Sequence, residues 1–360
     1  MNKQETFKKL KGLGFDGWFA AQNAEMPAGA SAVARVSAVD RGAYLIMNGS
    51  GELPAELAGR FRFEAASAAD LPCVGDWARV QYHNRGMLAV LRGILPRRTF
   101  LRRKSAGRNI DFQMIAANID AAFIVQSCHY DFNLHRLERY LVMAGDGGIE
   151  PVLVLTKTDL VTPAGLEKTI AAIRGTGIAA RILALSNASG AGLDEFRQCL
   201  APGRTYCLLG SSGVGKSTLI NRLLGREALA TRATSRSGEG THTTSRRQLI
   251  VLEQGALLVD TPGMRELGMM AAGEALDDGF AEISGLSRGC RFADCRHAGE
   301  PGCAVQAAIA SGELPADRYE SYAKLKREAE HHGMSFVEKR RKDKDFGKFV
   351  KTVKKGMRKR

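Results

Sequence analysis

The chain has 360 residues, 44% hydrophobic and 25% charged, which gives room for two or three soluble domains, each with its own core. No apolar run matches a membrane span, and no apolar segment follows the basic start MNKQETFKKLKGLGFDGW, which argues against membrane insertion or secretion and for a cytoplasmic protein. Seven cysteines, an odd number, fit a reducing compartment with free or metal-bound thiols, and the formal charge of +14 favours polyanionic partners.

After an N-terminal extension over 1–30, residues 31–105 tend to alternate at period two, as in Gly59-Arg60-Phe61-Arg62-Phe63-Glu64 and Trp77-Ala78-Arg79-Val80-Gln81-Tyr82. Such runs, punctuated by Gly and Asn, predict a small antiparallel β-barrel, and a five-stranded OB-type barrel is the size that fits. Arg97, Arg98, Arg102, Arg103, Lys104 and Arg108 follow as a basic connector, suited either to a phosphate backbone or to plain solvation. Over 106–275 the pattern becomes one of apolar strands alternating with helices. Strands are expected at Ala121–Val125, Pro151–Leu155, Arg181–Leu185, Tyr206–Leu209 and near Leu249 and Ala256. Helices are expected after the N-cap Asn133, near Leu166–Arg174, and over Lys216–Leu224 with Gly225 as its stop. This rhythm predicts an α/β domain, a parallel sheet covered by helices. A cysteine and histidine cluster and a further helix near Arg318–His331 occupy 276–335, and a basic tail, 336–360, ends the chain. From His331 onward twelve Lys and Arg face three acids, a charge excess that can bind a polyanion by counterion release.

Gly210, Ser211, Ser212, Gly213, Val214, Gly215, Lys216, Ser217 and Thr218 satisfy the pattern G-x-x-x-x-G-K-[ST] where its mechanism requires, between a strand and a helix. The loop's backbone N–H groups converge on phosphate oxygens, Lys216 reaches the β- and γ-phosphates, and Ser217 offers its hydroxyl to Mg²⁺. Asp260, at the end of the strand near Ala256, opens Asp260-Thr261-Pro262-Gly263. An aspartate placed there serves Mg²⁺, and Gly263 lets a backbone N–H approach the γ-phosphate. Between these motifs runs Gly238-Glu239-Gly240-Thr241-His242-Thr243-Thr244, in the interval where a GTPase keeps its first switch. Thr156, Lys157, Thr158 and Asp159 close an earlier apolar strand. A carboxylate there accepts from both N1–H and the exocyclic amine of guanine, a pair of donors that adenine lacks. Downstream, Cys290, Cys295, His297 and Cys303 supply three thiolates and an imidazole within fourteen residues, a donor set for one structural Zn²⁺. Cys73, Cys128, Cys199 and Cys207 lie in or near apolar segments and are expected in the core.

This combination resembles the circularly permuted GTPases of the RsgA family, the ribosome small subunit-dependent GTPases. Ordinary GTPases begin with the phosphate loop, whereas here TKTD and Leu185-Ser186-Asn187-Ala188 precede GSSGVGKST, GTHTTS and DTPG. Gly75-Asp76-Trp77 and Ala117-Asn118-Ile119-Asp120 belong to the same resemblance. It implies that Ser186 joins the base-binding loop and that Thr244, with Thr243 as the alternative, completes the Mg²⁺ shell with Ser217 and Asp260. It also implies a monomer that binds GTP and GDP, the 30S subunit and 16S rRNA, acting late in subunit assembly and stimulated by the subunit. Two departures stand out. Thr156 replaces the usual asparagine, and Met264 stands where Ras-like enzymes orient water with glutamine, which leaves His242 as the nearest residue for that task. The competing readings are a P-loop ATPase of unrelated role and an RNA-binding scaffold with a degenerate nucleotide site; base selectivity separates the first, absence of turnover the second.

Overall fold

The computed structural model describes residues 3–25, 32–40, 42–104, 112–129, 132–225, 247–260, 276–277 and 279–333. The chain divides into two compact units, Met1–Arg102 with Met114–Leu267, and Arg103–Gln113 with Gly268–Arg360.

The first unit opens with helices α1 (Lys3–Gly12) and α2 (Gly17–Glu25), the second begun by Asp16, whose carboxylate accepts from Trp18 N and Phe19 N. Strands β1 (Ala32–Asp40), β2 (Ala43–Met47) and β3 (Glu52–Leu57), helix α3 (Gly59–Glu64), and strands β4 (Trp77–His83) and β5 (Leu88–Ile94) follow. Pairings β1–β2, β2–β3, β3–β5, β5–β4 and β4–β1 close five strands around Val36, Ile46, Ala55, Val80 and Leu91. The expected barrel is thus present. Its strand set differs at Gly59–Glu64, where the alternating pattern predicted a strand and the chain forms α3 instead. None of its residues is buried, Phe63 is 90% exposed, and Arg60 pairs with Glu64 one helical turn on, at 2.7 Å. With no sheet face to cover, alternation in this segment carried no strand information.

β6 (Phe100–Lys104) and β7 (Phe112–Ala117) form a separate two-stranded sheet. The α/β region then runs β8 (Ala121–Ser127), α4 (Leu134–Asp146), β9 (Glu150–Thr156), α5 (Pro163–Gly175), β10 (Arg181–Ala184), α6 (Leu193–Gln198), β11 (Thr205–Leu209), α7 (Lys216–Leu224), β12 (Arg247–Val251) and β13 (Leu257–Asp260). Asn133 caps α4 as expected, its side chain accepting from Arg136 N. The spatial order is β10-β9-β8-β11-β13-β12, parallel except for β12. Helices cover both faces because both faces of β8 and β11 are buried and apolar, which leaves no room for water on either side.

Barrel and α/β sheet are continuous: β12 pairs antiparallel with β1, joining eleven strands. Beside that seam lies Arg35, 1% exposed. Its guanidinium donates to the carbonyls of Leu13 (2.5 Å), Gly75 (3.2 Å) and Asn118 (3.0 Å), while Asn118 Nδ2 donates to Gly75 O. Burial pushes the Arg35 pKa down to about 10, partly offset by Asp120 and Asp76. The connector arginines are also spent internally. Arg97 forms two bonds to buried Asp76, Arg98 pairs with Asp16 and lies over Trp18, and Arg102 pairs with Asp146. Lys104 ends β6, and Arg108 lies outside the described residues.

The second unit contains α8 (Ala281–Ser287), α9 (Ala304–Ser311) and α10 (Ala316–Gly333). Phe280, Ile283, Val305 and Tyr322 are buried there, and Arg318 lies over the Phe280 ring while pairing with Glu282 at 2.6 Å. Among the described residues no helix is long and apolar enough to cross a membrane.

Candidate nucleotide and metal sites

In a parallel sheet the loops after the strands' carboxyl ends share one edge, so the loops after β11, β9 and β10 gather whatever their order in the chain. The loop after β11 holds Gly210 to Gly215 and delivers Lys216 at the start of α7. Gly210 adopts φ 151°, and a Cβ there would sit 2.3 Å from the Val125 carbonyl, so the tight passage over β8 admits only glycine. Lys216 Nζ donates to the carbonyls of Gly210 (2.8 Å) and Ser211 (2.5 Å), holding its charge inside the loop. Ser217 and Thr218 occupy the first turn of α7 and are half-buried, as are Ser211, Ser212 and Gly213; Val214 is buried.

β9 ends at Thr156, fully buried, whose hydroxyl lies 2.7 Å from the Val214 carbonyl and 3.2 Å from that of Gln126. The residue that departs from asparagine therefore still ties the TKTD strand to the phosphate loop. Lys157 takes left-handed φ 58°, turning the chain so that Thr158 opens a short 3₁₀ turn and Asp159 stays exposed. Asp159 Oδ1 accepts from Ser186 Oγ at 2.5 Å, and Ser186 Oγ in turn accepts from Ala188 N and Ser189 N at 3.1 Å each. Fold and site together define a circularly permuted P-loop GTPase.

A family model described as RsgA GTPase matches residues 94–270. Small ribosomal subunit biogenesis GTPase RsgA 2 of Lactiplantibacillus plantarum is 43% identical over 302 residues, 84% of each chain, and RsgA of Opitutus terrae is 41% identical over 330 residues, 89% of each. The chain belongs to the RsgA GTPase family. Among solved structures it is similar to YjeQ from Thermotoga maritima (TM-score 0.62, 26% identity, covering 83% of this chain and 98% of that one). It is also similar to YloQ, a circularly permuted GTPase (TM-score 0.60, 25% identity, 84% and 96%). A model described as ABC transporter matches residues 193–360, a span that contains the phosphate loop.

Asp260 ends β13, in register with Gln248 of β12. His242, Thr243, Thr244, Gly263 and Met264 lie outside the described residues, as does the basic tail. Two residues to which motif reading gave no role contact the site, Asn187, quoted within the base-loop motif, and Arg222: Asn187 Nδ2 donates to Gly215 O at 3.1 Å, and Arg222 Nη2 donates to Asn187 O at 2.8 Å.

In the second unit the donor atoms of Cys290, Cys295, His297 and Cys303 all lie within 4.8 Å of one another and could hold a metal ion. Cys290 Sγ is 3.5 Å from His297 Nδ1 and 3.9 Å from Cys303 Sγ, and His297 Nδ1 is 3.4 Å from Cys303 Sγ. Buried His297 has left-handed φ 60°, and its carbonyl accepts from Gln306 Nε2 and Tyr319 Oη at 2.6 Å each, which fixes the turn. Of the other thiols, Cys73 and Cys207 are in the core, whereas Cys128 and Cys199 are half-buried. Burial pushes the Cys207 thiol up to about 12, so it stays protonated and packs as an apolar group.

Proposed function

We propose that this protein hydrolyses GTP to GDP and phosphate in the biogenesis of the small ribosomal subunit, binding its 16S rRNA and turning over faster on the 30S particle. The observation that carries the reading is the meeting of Asp159, Ser186 and the phosphate loop through Thr156 and Asn187, in a chain 43% identical to a small ribosomal subunit biogenesis GTPase.

Asp159, oriented by Ser186, accepts from guanine N1–H and the exocyclic amine, and Lys157 packs beside the base. The backbone N–H groups from Gly210 to Thr218 hold the phosphates, and Lys216 exchanges two loop carbonyls for the β- and γ-phosphate oxygens. When Mg²⁺ is bound with GTP it neutralises charge between those phosphates, and Ser217, Thr244 and Asp260 are the residues that would hold it. Gly263 offers its N–H to the γ-phosphate, and His242 takes the water-orienting place that Met264 cannot fill.

Zinc suits the second site. Tetrahedral Zn²⁺ with Zn–S of about 2.3 Å and Zn–N of about 2.0 Å requires ligand separations of roughly 3.5–3.8 Å, and the three separations given above run from 3.4 to 3.9 Å. Closed by four protein ligands, it is structural. The functional division we infer is a barrel over 31–105, a GTPase domain over 106–275, a zinc domain over 276–335 and a polyanion-binding tail, in a monomeric cytoplasmic protein.

The direct test is GTP turnover with and without purified 30S subunits. Stimulation is expected, and His242→Ala should lower the stimulated rate while leaving GDP affinity as it is. Equal turnover with and without subunits would remove the ribosomal assignment.

A further inference from the structure

Asn187 sits between the two halves of the nucleotide site and touches both. Its chain neighbour, Ser186, orients the base-reading carboxylate of Asp159. Its own amide donates to the carbonyl of Gly215, the residue before Lys216, and that carbonyl also accepts Leu219 N, the first main-chain bond of α7. Arg222, on the next turn of α7, donates to the main-chain carbonyl of Asn187. The base loop is therefore strapped to the phosphate helix twice, once at its first turn and once along its side.

Two details argue that the strap is more than packing. Asn187 Oδ1 is buried with no hydrogen-bond partner, which makes asparagine a costly choice for merely filling the space. The reverse orientation of the amide would set its oxygen against the Gly215 carbonyl, so the donor role of Nδ2 is fixed. Gly215 adopts φ 97°, and a Cβ there would stand 2.8 Å from Asn187 Nδ2. The glycine before the phosphate lysine is thus shaped to this contact as well as to its turn.

We infer that Asn187 is a positioning residue that makes the guanine reader and the phosphate cradle one rigid unit, with Arg222 as its second anchor. Base recognition then acts on nucleotide retention through the phosphate loop, and a loosened strap lets the phosphates bind without the base being checked. The inference rests on Asp159 as the reader of guanine.

The test uses the full chain with fluorescent GDP released against excess GDP or ADP. Asn187→Asp keeps the side chain's shape and removes the donor; Asn187→Ala removes both. Each is expected to release GDP about tenfold faster and to lower the GDP-to-ADP affinity ratio by a similar factor, the effect of about one lost hydrogen bond. Arg222→Ala should act in the same direction by about threefold, and the double variant should fall short of the product because both anchors hold one loop. If Asn187→Ala does not fold, Asn187→Asp and Arg222→Ala carry the test. A role in packing alone would lower the fraction of protein that binds while leaving the release rate and affinity ratio of that fraction at wild-type values, and this outcome overturns the inference. Asp159→Asn in the same series separates the two levels. If it leaves the ratio unchanged, the guanine reading fails and takes the inference with it; if it collapses the ratio while the strap variants do not, only the strap fails.

Discussion

If Asp159 reads guanine as proposed, selectivity turns on its pair with Ser186, whose buried hydroxyl donates at 2.5 Å to one oxygen of the exposed carboxylate. Asp159→Asn exchanges an acceptor for a donor facing the guanine donors. GDP affinity is expected to fall by at least about 2 kcal/mol while ADP affinity stays within about twofold, measured by calorimetric titration. Equal losses for both nucleotides would assign Asp159 to loop stability instead. The placement of TKTD and of the phosphate loop was legible in the sequence because it depends on local spacing: four residues leaving a strand, or eight spanning a strand and a helix. Asn187 and Arg222 were not. Their bonds join residues 28 and 35 positions apart, and no local pattern distinguishes such an asparagine from a solvated one. Thr156 was legible as a departure, but not the Val214 carbonyl its hydroxyl meets.

Among the elements, the long apolar strands and capped helices of the α/β region were legible, whereas short helices such as α1, α2 and α6 were not, although they bury Leu10, Phe19 and Phe196. β8, β9 and β11 carry apolar runs because helices cover them on both sides, and α7 ends at Gly225, which takes φ 62°. Helix α3 has no buried residue to impose a period, so its alternating Arg and Phe suggested a strand. The arginines of the connector were read as either phosphate-facing or solvated, and neither reading foresaw that the acids holding Arg98 and Arg102 lie on α2's N-cap and at the end of α4, too far along the chain for local reading. In the second unit α9 begins at the Cys/His cluster, because Cys303 is its N-cap and its Sγ accepts from Gln306 N at 3.4 Å. Stripping the metal with a strong chelator is expected to reduce helical circular dichroism and expose α9 and α10 to protease, with one Zn²⁺ per chain released by elemental analysis. Retained helicity in metal-free protein would show that the apolar contacts of Phe280, Ile283 and Val305 suffice without the ion.

Across the whole molecule, barrel and α/β sheet share backbone pairing at β1–β12 and a buried cation at Arg35. Arg35→Met is close in length but leaves the carbonyls of Leu13 and Asn118 without their donor, while Gly75 O keeps Asn118 Nδ2, at about 1–3 kcal/mol for each buried group left unmade. The first unit should lose about 2–6 kcal/mol of stability in thermal unfolding, with barrel and GTPase transitions separating in calorimetry. A single transition at the wild-type temperature would mean that the β1–β12 ladder alone couples them. That ladder also sets a timetable for synthesis. Ala38 pairs with Gln248, so at roughly 5–20 residues per second β12 follows β1 out of the ribosome after about 10–40 s. The permuted order that sends the base reader ahead of the phosphate loop thereby postpones the last partner of the barrel's first strand. Until it arrives β1 presents a short unpaired edge to any neighbouring nascent chain. The hydrogen bonds of Arg35 need nothing beyond Asn118 and its supporting charges nothing beyond Asp120, so the newborn barrel can be closed and anchored long before its edge is covered.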